Sequence, residues 1–326
     1  VNPACGGGQK IKKTLGGNEM KRRLLSIFLS LTMMFTLVPT AWALSEEENR
    51  TPAPMDTSEN GEGAEGSKSV APEMNGTCGA TEADLVTWAL TDDDGDGFYT
   101  LTISGDGAMA DYTVNINNAK ATQPWRAGKT GVEIEKITKV VVSENVTSIG
   151  AFAFNGLTAV SEYDIGANVS TISRWALDTS AAKVFNLNGN TNFKTDDGVL
   201  FNVDGTTLIA YPGGSAVRDE YTVPSTVTAI ADGAFVGCPI KKLTIGNNVT
   251  TVLPSWSFNG GVLEELDINC SFDSGTFGQI TTLKKVTLGN SITEIPEKAF
   301  LKCTGLQTVS IPSGLTKIGT QAFFGC

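Results

Sequence analysis

Asp92-x-Asp94-x-Asp96-Gly97 is the stretch whose residue types and spacing come nearest to a recognisable chemistry. Carboxylates at alternate positions followed by a turn glycine form the first half of a calcium-binding loop. The second half fails, because the twelfth position, where a bidentate Glu belongs, is Ile103. Strand-like runs flank the loop where helices should. The plainer reading is a polar hairpin turn, and no calcium site of signalling affinity is expected. The 326 residues include no His. That removes Ser-His-Asp and Cys-His arrangements and every His-ligated metal site. Carboxylate pairs such as Glu264-Glu265 fall on a regular exposed strand, with no sign of a pocket that would separate their pKa values. The expectation is not an enzyme: no catalytic residue, no cofactor and no metal.

Cys238, Cys303 and Cys326 share one position of a repeat, and Leu157 stands there in the first copy. Leu marks the slot as apolar, so Cys reads as a small buried hydrophobe. In a secreted chain disulfides must also be weighed. A bond needs Cα atoms within about 7 Å, and only Cys303 and Cys326 sit in adjacent copies. Cys78 and Cys270 have no evident partner.

Binding chemistry is better represented. One column of exposed residues reads Lys139, Glu162, Val184, Lys242, Glu265, Lys285 and Thr308. The next reads Val141, Asp164, Asn186, Thr244, Asp267, Thr287 and Ser310. Parallel strands lie about 4.8 Å apart, so each column is a ladder. Opposite charges side by side stabilise each other by roughly 0.2–1 kcal/mol per pair. The first column is therefore either a self-neutralising ladder or a charged binding face. The second is short and polar and lacks the Trp, Tyr and Arg that protein interfaces favour as hot spots. The polar and charged members of both columns are the candidate binding face.

What positions these columns is a block that returns every 23 residues. Leu283-Lys284-Lys285-Val286-Thr287-Leu288, then Ile292, Ile295, Ala299-Phe300 and Cys303, is matched by Leu306 through Ile311, then Leu315, Ile318, Ala322-Phe323 and Cys326. Ile137 to Phe154 and Val160 to Leu177 keep the same frame. Ile240 to Phe258 fits with one extra residue near Pro254, and Leu263 to Phe277 is a shortened copy. A further copy starts near Phe185, is interrupted, and resumes at Tyr221. A short fixed period means a unit that cannot bury its apolar face alone and must stack on copies of itself. About seven coils are expected from 137 to 326.

Each coil reads apolar-x-x-apolar-x-apolar, which alternates as a strand does. Gly166, Pro224, Gly246, Gly289 and Pro312 end that strand. A second short extended stretch carries a Val-x-x-Ile pair, and Ala-Phe follows in a turn or short helix. The column Phe154, Leu177, Phe235, Phe258, Phe277, Phe300 and Phe323 reads as an interior spine rather than a binding stripe. Residues 188–220 interrupt the array. Asp204-Gly205 between two apolar runs is a strong hairpin signal. A β-hairpin projecting from the stack is expected, as a binding tip or as a spacer.

Residues 1–19 precede a good start Met and read as an upstream mis-start. Residues 20–43 have a basic start, an apolar run and Ala41-Trp42-Ala43, the pattern of a secretory signal peptide. Residues 44–75 read as a disordered acidic linker. Without 1–43, which carry six basic and one acidic residue, 18 Lys and Arg stand against 34 Asp and Glu, a formal charge of −16. Nucleic acid and anionic membranes are poor partners for such a surface. No apolar segment after the signal peptide approaches a membrane span. Residues 76–136 do not fit the repeat and read as an N-terminal β cap, with Trp125 packed where the cap meets the first coil. Cys326 falls inside a repeat, so a longer protein is expected.

The frame of residues 306–326, leucine-x-x-valine-x-isoleucine-proline and then Ala-Phe-x-x-Cys, resembles the BspA-like leucine-rich repeat. The interruption Asp197-Gly198-Val199-Leu200-Phe201, Asp204-Gly205-Thr206 and Tyr211-Pro212 is similar to the hairpin insert of that family. Gly76-Thr77-Cys78-Gly79, Leu101 to Met109 and Pro124-Trp125 resemble its N-terminal segment in secreted proteins of gut-type bacteria. The resemblance covers about 76–326. Leu177 and Leu157 in place of the usual Phe and Cys, and the short fifth coil, blur local register only. The resemblance implies a mainly β fold with short helices or turns: a curved leucine-rich-repeat solenoid with a parallel sheet, an N-terminal β cap and a β-hairpin insert. It implies a secreted or cell-surface bacterial protein, with adhesion to host matrix proteins or other cells for some members, and it carries no catalytic residues. Two functions stay open: a recognition or adhesion module for host extracellular or cell-surface proteins or other cells, and a structural spacer presenting a C-terminal domain expected beyond residue 326.

Overall fold

The computed structural model describes residues 74–113, 122–126, 130–179, 181–214, 218–251, 258 and 261–326. The expected mis-start, signal peptide and most of the linker, and the extra residue near Pro254, lie outside the described residues.

The chain opens with an antiparallel set, β1 (Asn75–Thr77), β2 (Thr87–Thr91) and β3 (Tyr99–Ser104). A two-residue strand, β4 (Gly107–Ala108), follows. From there the chain coils. β5 (Ile137–Val142), β7 (Glu162–Ile165) and β9 (Val184–Asn186) pair in parallel, while β6 (Val146–Ile149) and β8 (Thr171–Ile172) form a second, narrower sheet. The inward positions are those the period dictates: Ile137, Val140 and Val142 on β5, and Tyr163 and Ile165 on β7, are all buried. The Tyr163 hydroxyl satisfies itself in the core by donating to the Asp178 carbonyl at 2.6 Å.

The cap is continuous with the solenoid. β3 pairs in parallel with β5, setting Leu101 beside Val140 and Ile103 beside Val142, and β4 pairs with β6. Residues 99–108 thus act as a coil of atypical sequence. They supply the donors and apolar surface that the first repeat needs on its open side.

The insert differs from the expected projecting hairpin. β10 (Phe193–Asp196), β11 (Val199–Asn202) and β12 (Thr207–Ala210) form an antiparallel meander, and β12 then pairs in parallel with β14 (Ala229–Ile230) of the next coil. β11 is apolar on both faces. Leu200 joins the core of the first coils, and Val199 and Phe201 join the core of the later ones. A strand with two apolar faces is stable only between two cores, so the insert is built into the stack. Tyr211, just beyond β12, takes the place of a spine Phe: its N–H donates to the Ala234 carbonyl, and its ring stacks on Phe235 at 5.8 Å.

Beyond the insert a second main sheet runs β13 (Glu220–Thr222), β15 (Lys242–Ile245), β16 (Glu265–Ile268), β17 (Lys285–Leu288) and β19 (Thr308–Ser310), all parallel. β18 (Glu294–Ile295) and β20 (Lys317–Ile318) pair on the narrower face. The interrupted copy thus contributes one strand, β9, to the end of the first main sheet and another, β13, to the start of the second. Inside, the spine is an aromatic stack. Phe235–Phe258, Phe258–Phe277, Phe277–Phe300 and Phe300–Phe323 lie 5.3, 4.9, 5.6 and 5.4 Å apart. The interior reading of this column holds.

The turns that carry the spine have their own backbone ladder. Lys298, Phe300 and Lys302 donate to Thr320, Ala322 and Phe324 of the next coil, and Gly275, Phe277 and Gln279 do the same one coil earlier. Aiming every second N–H along the stack requires left-handed residues two places before and after the aromatic. Phe152, Trp175, Lys298 and Gln321 hold φ of 54–57°, where glycines 233 and 275 stand in other coils. A side chain there costs about 1 kcal/mol or more, partly offset by the entropy a Gly would lose. Lys298 makes only an exposed pair with neighbouring Glu297, worth little. Lys298→Gly is therefore expected to leave stability unchanged or raise it by up to about 1 kcal/mol. A urea melt showing a loss larger than that would contradict the turn geometry.

Candidate binding face

The exposed residues of the parallel strands divide into two patches, because the main sheet is split at the insert. On the first sheet, Lys139, Glu162 and Val184 stand in register, as do Val141, Asp164 and Asn186. Their polar groups bond largely to one another. Lys139 Nζ lies 2.8 Å from Glu162 Oε1 and 2.9 Å from Asp164 Oδ2. Asn186 Nδ2 donates to the same two carboxylates at 2.8 and 2.6 Å. Hydrogen bonds to Glu162 and Asp164 hold the Lys139 ammonium above its usual pKa. Burial pushes the Asp164 carboxyl up, but the Asn186 and Lys139 hydrogen bonds outweigh it and the net shift is downward. Glu162 Oε1, both Asp164 oxygens and the Lys139 ammonium are thus engaged within the cluster, and an ammonium so held is no nucleophile.

On the second sheet the register brings Lys242, Glu265, Lys285 and Thr308 into one column and Thr244, Asp267, Thr287 and Ser310 into the next. Val184 and Lys242 are not neighbours. The residue beside Lys242 is Glu220, which the sequence frame missed because the interruption hides β13. The sign pattern is thus acidic, basic, acidic, basic, with Lys242–Glu220 at 3.6 Å and Lys285–Glu265 at 3.5 Å. A second ladder runs beside it. Lys241 reaches Asp219 at 3.0 Å and Lys284 reaches Glu264 at 2.6 Å. The consecutive pairs Lys241-Lys242, Glu264-Glu265 and Lys284-Lys285 were a readable signal for it.

The neighbouring column is different. Among the described residues the Asp267 carboxylate has no ion pair or hydrogen bond, and Thr244 and Thr287 flank it in register. Thr222, on β13, extends the column ahead of Thr244. Five strands at about 4.8 Å make a strip of hydroxyl and carboxylate groups some 19 Å long, whose side-chain oxygens have no partner among the described residues.

The Asp92, Asp94 and Asp96 carboxylates converge, with ligand atoms within 4.8 Å of one another. Their oxygens already accept the loop's own amides. Asp92 takes Gly95 and Gly97, Asp94 takes Asp96, and Asp96 takes Phe98. Ile103 is wholly buried on β3 and closes no coordination shell. The arrangement serves as a self-bonded turn between β2 and β3. Cys303 and Cys326 are free, and each thiol donates to the carbonyl of the spine Phe one coil earlier, Phe277 and Phe300, at 3.1 Å. A weak donor at an apolar position explains why Cys recurs there. Among the described residues no helix is long and apolar enough to cross a membrane.

The chain resembles several solved structures. A leucine-rich repeat protein from Eubacterium ventriosum is 22% identical, with 77% of this chain and 95% of that one covered and a TM-score of 0.34. A leucine rich cell surface protein from Faecalibacterium prausnitzii is 15% identical, with 76% and 92% covered and a TM-score of 0.44. A leucine-rich repeat protein from Bacteroides ovatus is 16% identical, with 73% and 79% covered and a TM-score of 0.37. No curated protein matches. The model of the BspA type leucine rich repeat region matches six copies over residues 132–212 and 217–326, most of the chain. With the repeat, the register and the spine agreeing, this chain belongs to the BspA-type leucine-rich repeat family.

Proposed function

We propose that the protein is a secreted or cell-surface recognition module that binds extracellular or cell-surface proteins of a host, or other cells, through the exposed face of its second main sheet. The observation that carries this reading is the uncommitted column Thr222, Thr244, Asp267, Thr287 and Ser310 beside a ladder whose charges are already paired. Uncommitted groups on rigid strands lose little entropy when a partner takes them up. The signal-peptide pattern at 20–43 and the acidic surface after it suit an exported protein. The test uses immobilised extracellular-matrix proteins and cultured epithelial cells as ligands. Asp267→Lys is expected to weaken binding by about tenfold or more, the scale of removing one charged partner from a buried interfacial pair, with an unchanged melting curve. Glu162→Ala, in the closed cluster, should leave binding intact. Equal binding by Asp267→Lys and wild type would rule this face out. A second reading, a spacer presenting a C-terminal domain, draws on the Lys139 cluster, whose groups bond largely to one another; it predicts that neither substitution alters binding.

A further inference from the structure

The break in the main sheet leaves β13 as an edge. Val223 N–H and the Asp219 carbonyl are spent on the neighbouring strand. In a parallel ladder alternate residues face opposite sides, so the amides and carbonyls of Glu220 and Thr222 point away from β15. β13 is the first strand of its sheet, and no strand pairs with it on that side among the described residues. Tyr221 shows the same opening. Its position is that of Tyr163, Leu243 and Leu266, which are at most 1% exposed, yet Tyr221 is only partly buried. A cleft of about 330 Å³ lies along this edge, with Tyr221 and Phe201 as its apolar part and Asp196 and Glu220 as its acidic part. Arg218, paired with Asp197, clips the insert to the start of β13.

The ladder specifies what would fit. Each acidic strand in this sheet lies beside a basic one. Glu264 and Glu265 are held between Lys241-Lys242 on one side and Lys284-Lys285 on the other. Asp219 and Glu220 have Lys241 and Lys242 on one side only. The strands that neighbour acidic ones read Lys241-Lys242-Leu243-Thr244 and Lys284-Lys285-Val286-Thr287. We propose that the β13 edge accepts an extended segment of another protein by parallel strand addition, and that the segment carries two consecutive basic residues, then an apolar residue, then Thr or Ser. The basic residues meet Asp219 and Glu220, the apolar one lies against Tyr221 and Phe201, and the backbone pairs with Glu220 and Thr222. Main-chain bonds supply affinity and the alternating side chains supply selectivity, as in other strand additions. This site lies at the sheet edge and adjoins the Asp267 column: it takes up the Thr222 backbone, whereas the column offers the Thr222 hydroxyl.

The test uses the full chain and a fluorescein-labelled synthetic peptide with the sequence of residues 240–246, Ile-Lys-Lys-Leu-Thr-Ile-Gly, followed by anisotropy. Saturable binding that weakens with added salt is expected, together with slowed amide exchange at Glu220 and Thr222. The matched acidic peptide of residues 263–269, Leu-Glu-Glu-Leu-Asp-Ile-Asn, should bind at least about tenfold more weakly. Glu220→Lys should reduce binding of the basic peptide by a similar factor. Thr222→Pro removes an outward N–H that no described residue accepts, a substitution edge strands tolerate, and should abolish binding while the melting curve is kept. Should Thr222→Pro fail to fold, Glu220→Lys alone decides. The proposal is overturned if the acidic peptide binds equally, if folded Thr222→Pro or Glu220→Lys binds like wild type, if protection appears at Thr308–Ser310 instead, or if no binding is seen up to millimolar peptide.

Discussion

Phe300→Ala is expected to lower stability by about 3–5 kcal/mol. The side chain is fully buried, stacked between Phe277 at 5.6 Å and Phe323 at 5.4 Å, with the edge of Phe272 at 6.1 Å. Its backbone links coils as well: the N–H donates to the Ala322 carbonyl at 2.8 Å, and its carbonyl takes the Cys326 thiol. Truncation therefore opens a cavity at the joint between two coils. In a solenoid each coil touches only its neighbours, so the loss falls on one interface term. Beyond the lowered midpoint in urea, amide exchange should quicken first across residues 306–324, outward of the damaged joint. Glu265→Ala is the control. Its pair with Lys285 is long and nearly half-exposed, and its loss should cost under about 1 kcal/mol. A Phe300→Ala protein that melts like wild type would mean that the coils are not stacked in this register.

Trp125→Ala should cost a similar amount, about 3–5 kcal/mol, and should act at the other end. Trp125 is fully buried and touches both sides of a joint: Trp88 at 6.3 Å and Tyr112 at 5.4 Å in the cap, and Phe154 at 5.8 Å in the first coil. It continues the aromatic spine one place beyond the repeats. Neighbouring groups take the place of a preceding coil's amides. Tyr112 N–H donates to the Ala151 carbonyl, Gln123 Nε2 to that of Phe152 at 2.7 Å, and Arg126 Nη2 to that of Asn155 at 2.6 Å. Loss of the indole should therefore loosen the cap before the repeats. Two unfolding steps, or a reduced denaturant slope for the main transition, are expected, with β2 and β3 losing exchange protection first. A single transition within about 1 kcal/mol of wild type would show that Trp125 does not join the two parts.

The sequence by itself determined the coil and its register. A 23-residue period in which apolar residues alternate admits one stacking, because a slip of one residue turns Leu243, Leu266 and Val286 outward together. The same logic marks Phe300 as interior, and the loss of the period before residue 137 places Trp125 in the cap that joins the first coil. Several features only the tertiary structure decided. Across 188–220 the period is lost, and spacing no longer says which strand neighbours which. The insert's place inside the stack, Tyr211 as a member of the spine, and Glu220 rather than Val184 beside Lys242 all follow from pairings between distant segments. The left-handed turn residues were hidden for another reason. Lys298 and Gln321 have no local preference for that conformation, and it is imposed by the ladder to the next coil. The binding face was legible as a set of columns. Which members are free to bind was not, since Asp164 and Asp267 occupy the same repeat position, and only the neighbours Lys139 and Asn186, close enough to bond, consume one carboxylate and leave the other. Local pattern fixes what each coil must bury. The breaks in that pattern are settled by packing, where buried surface and paired backbone groups outweigh any preference readable in a short stretch of chain.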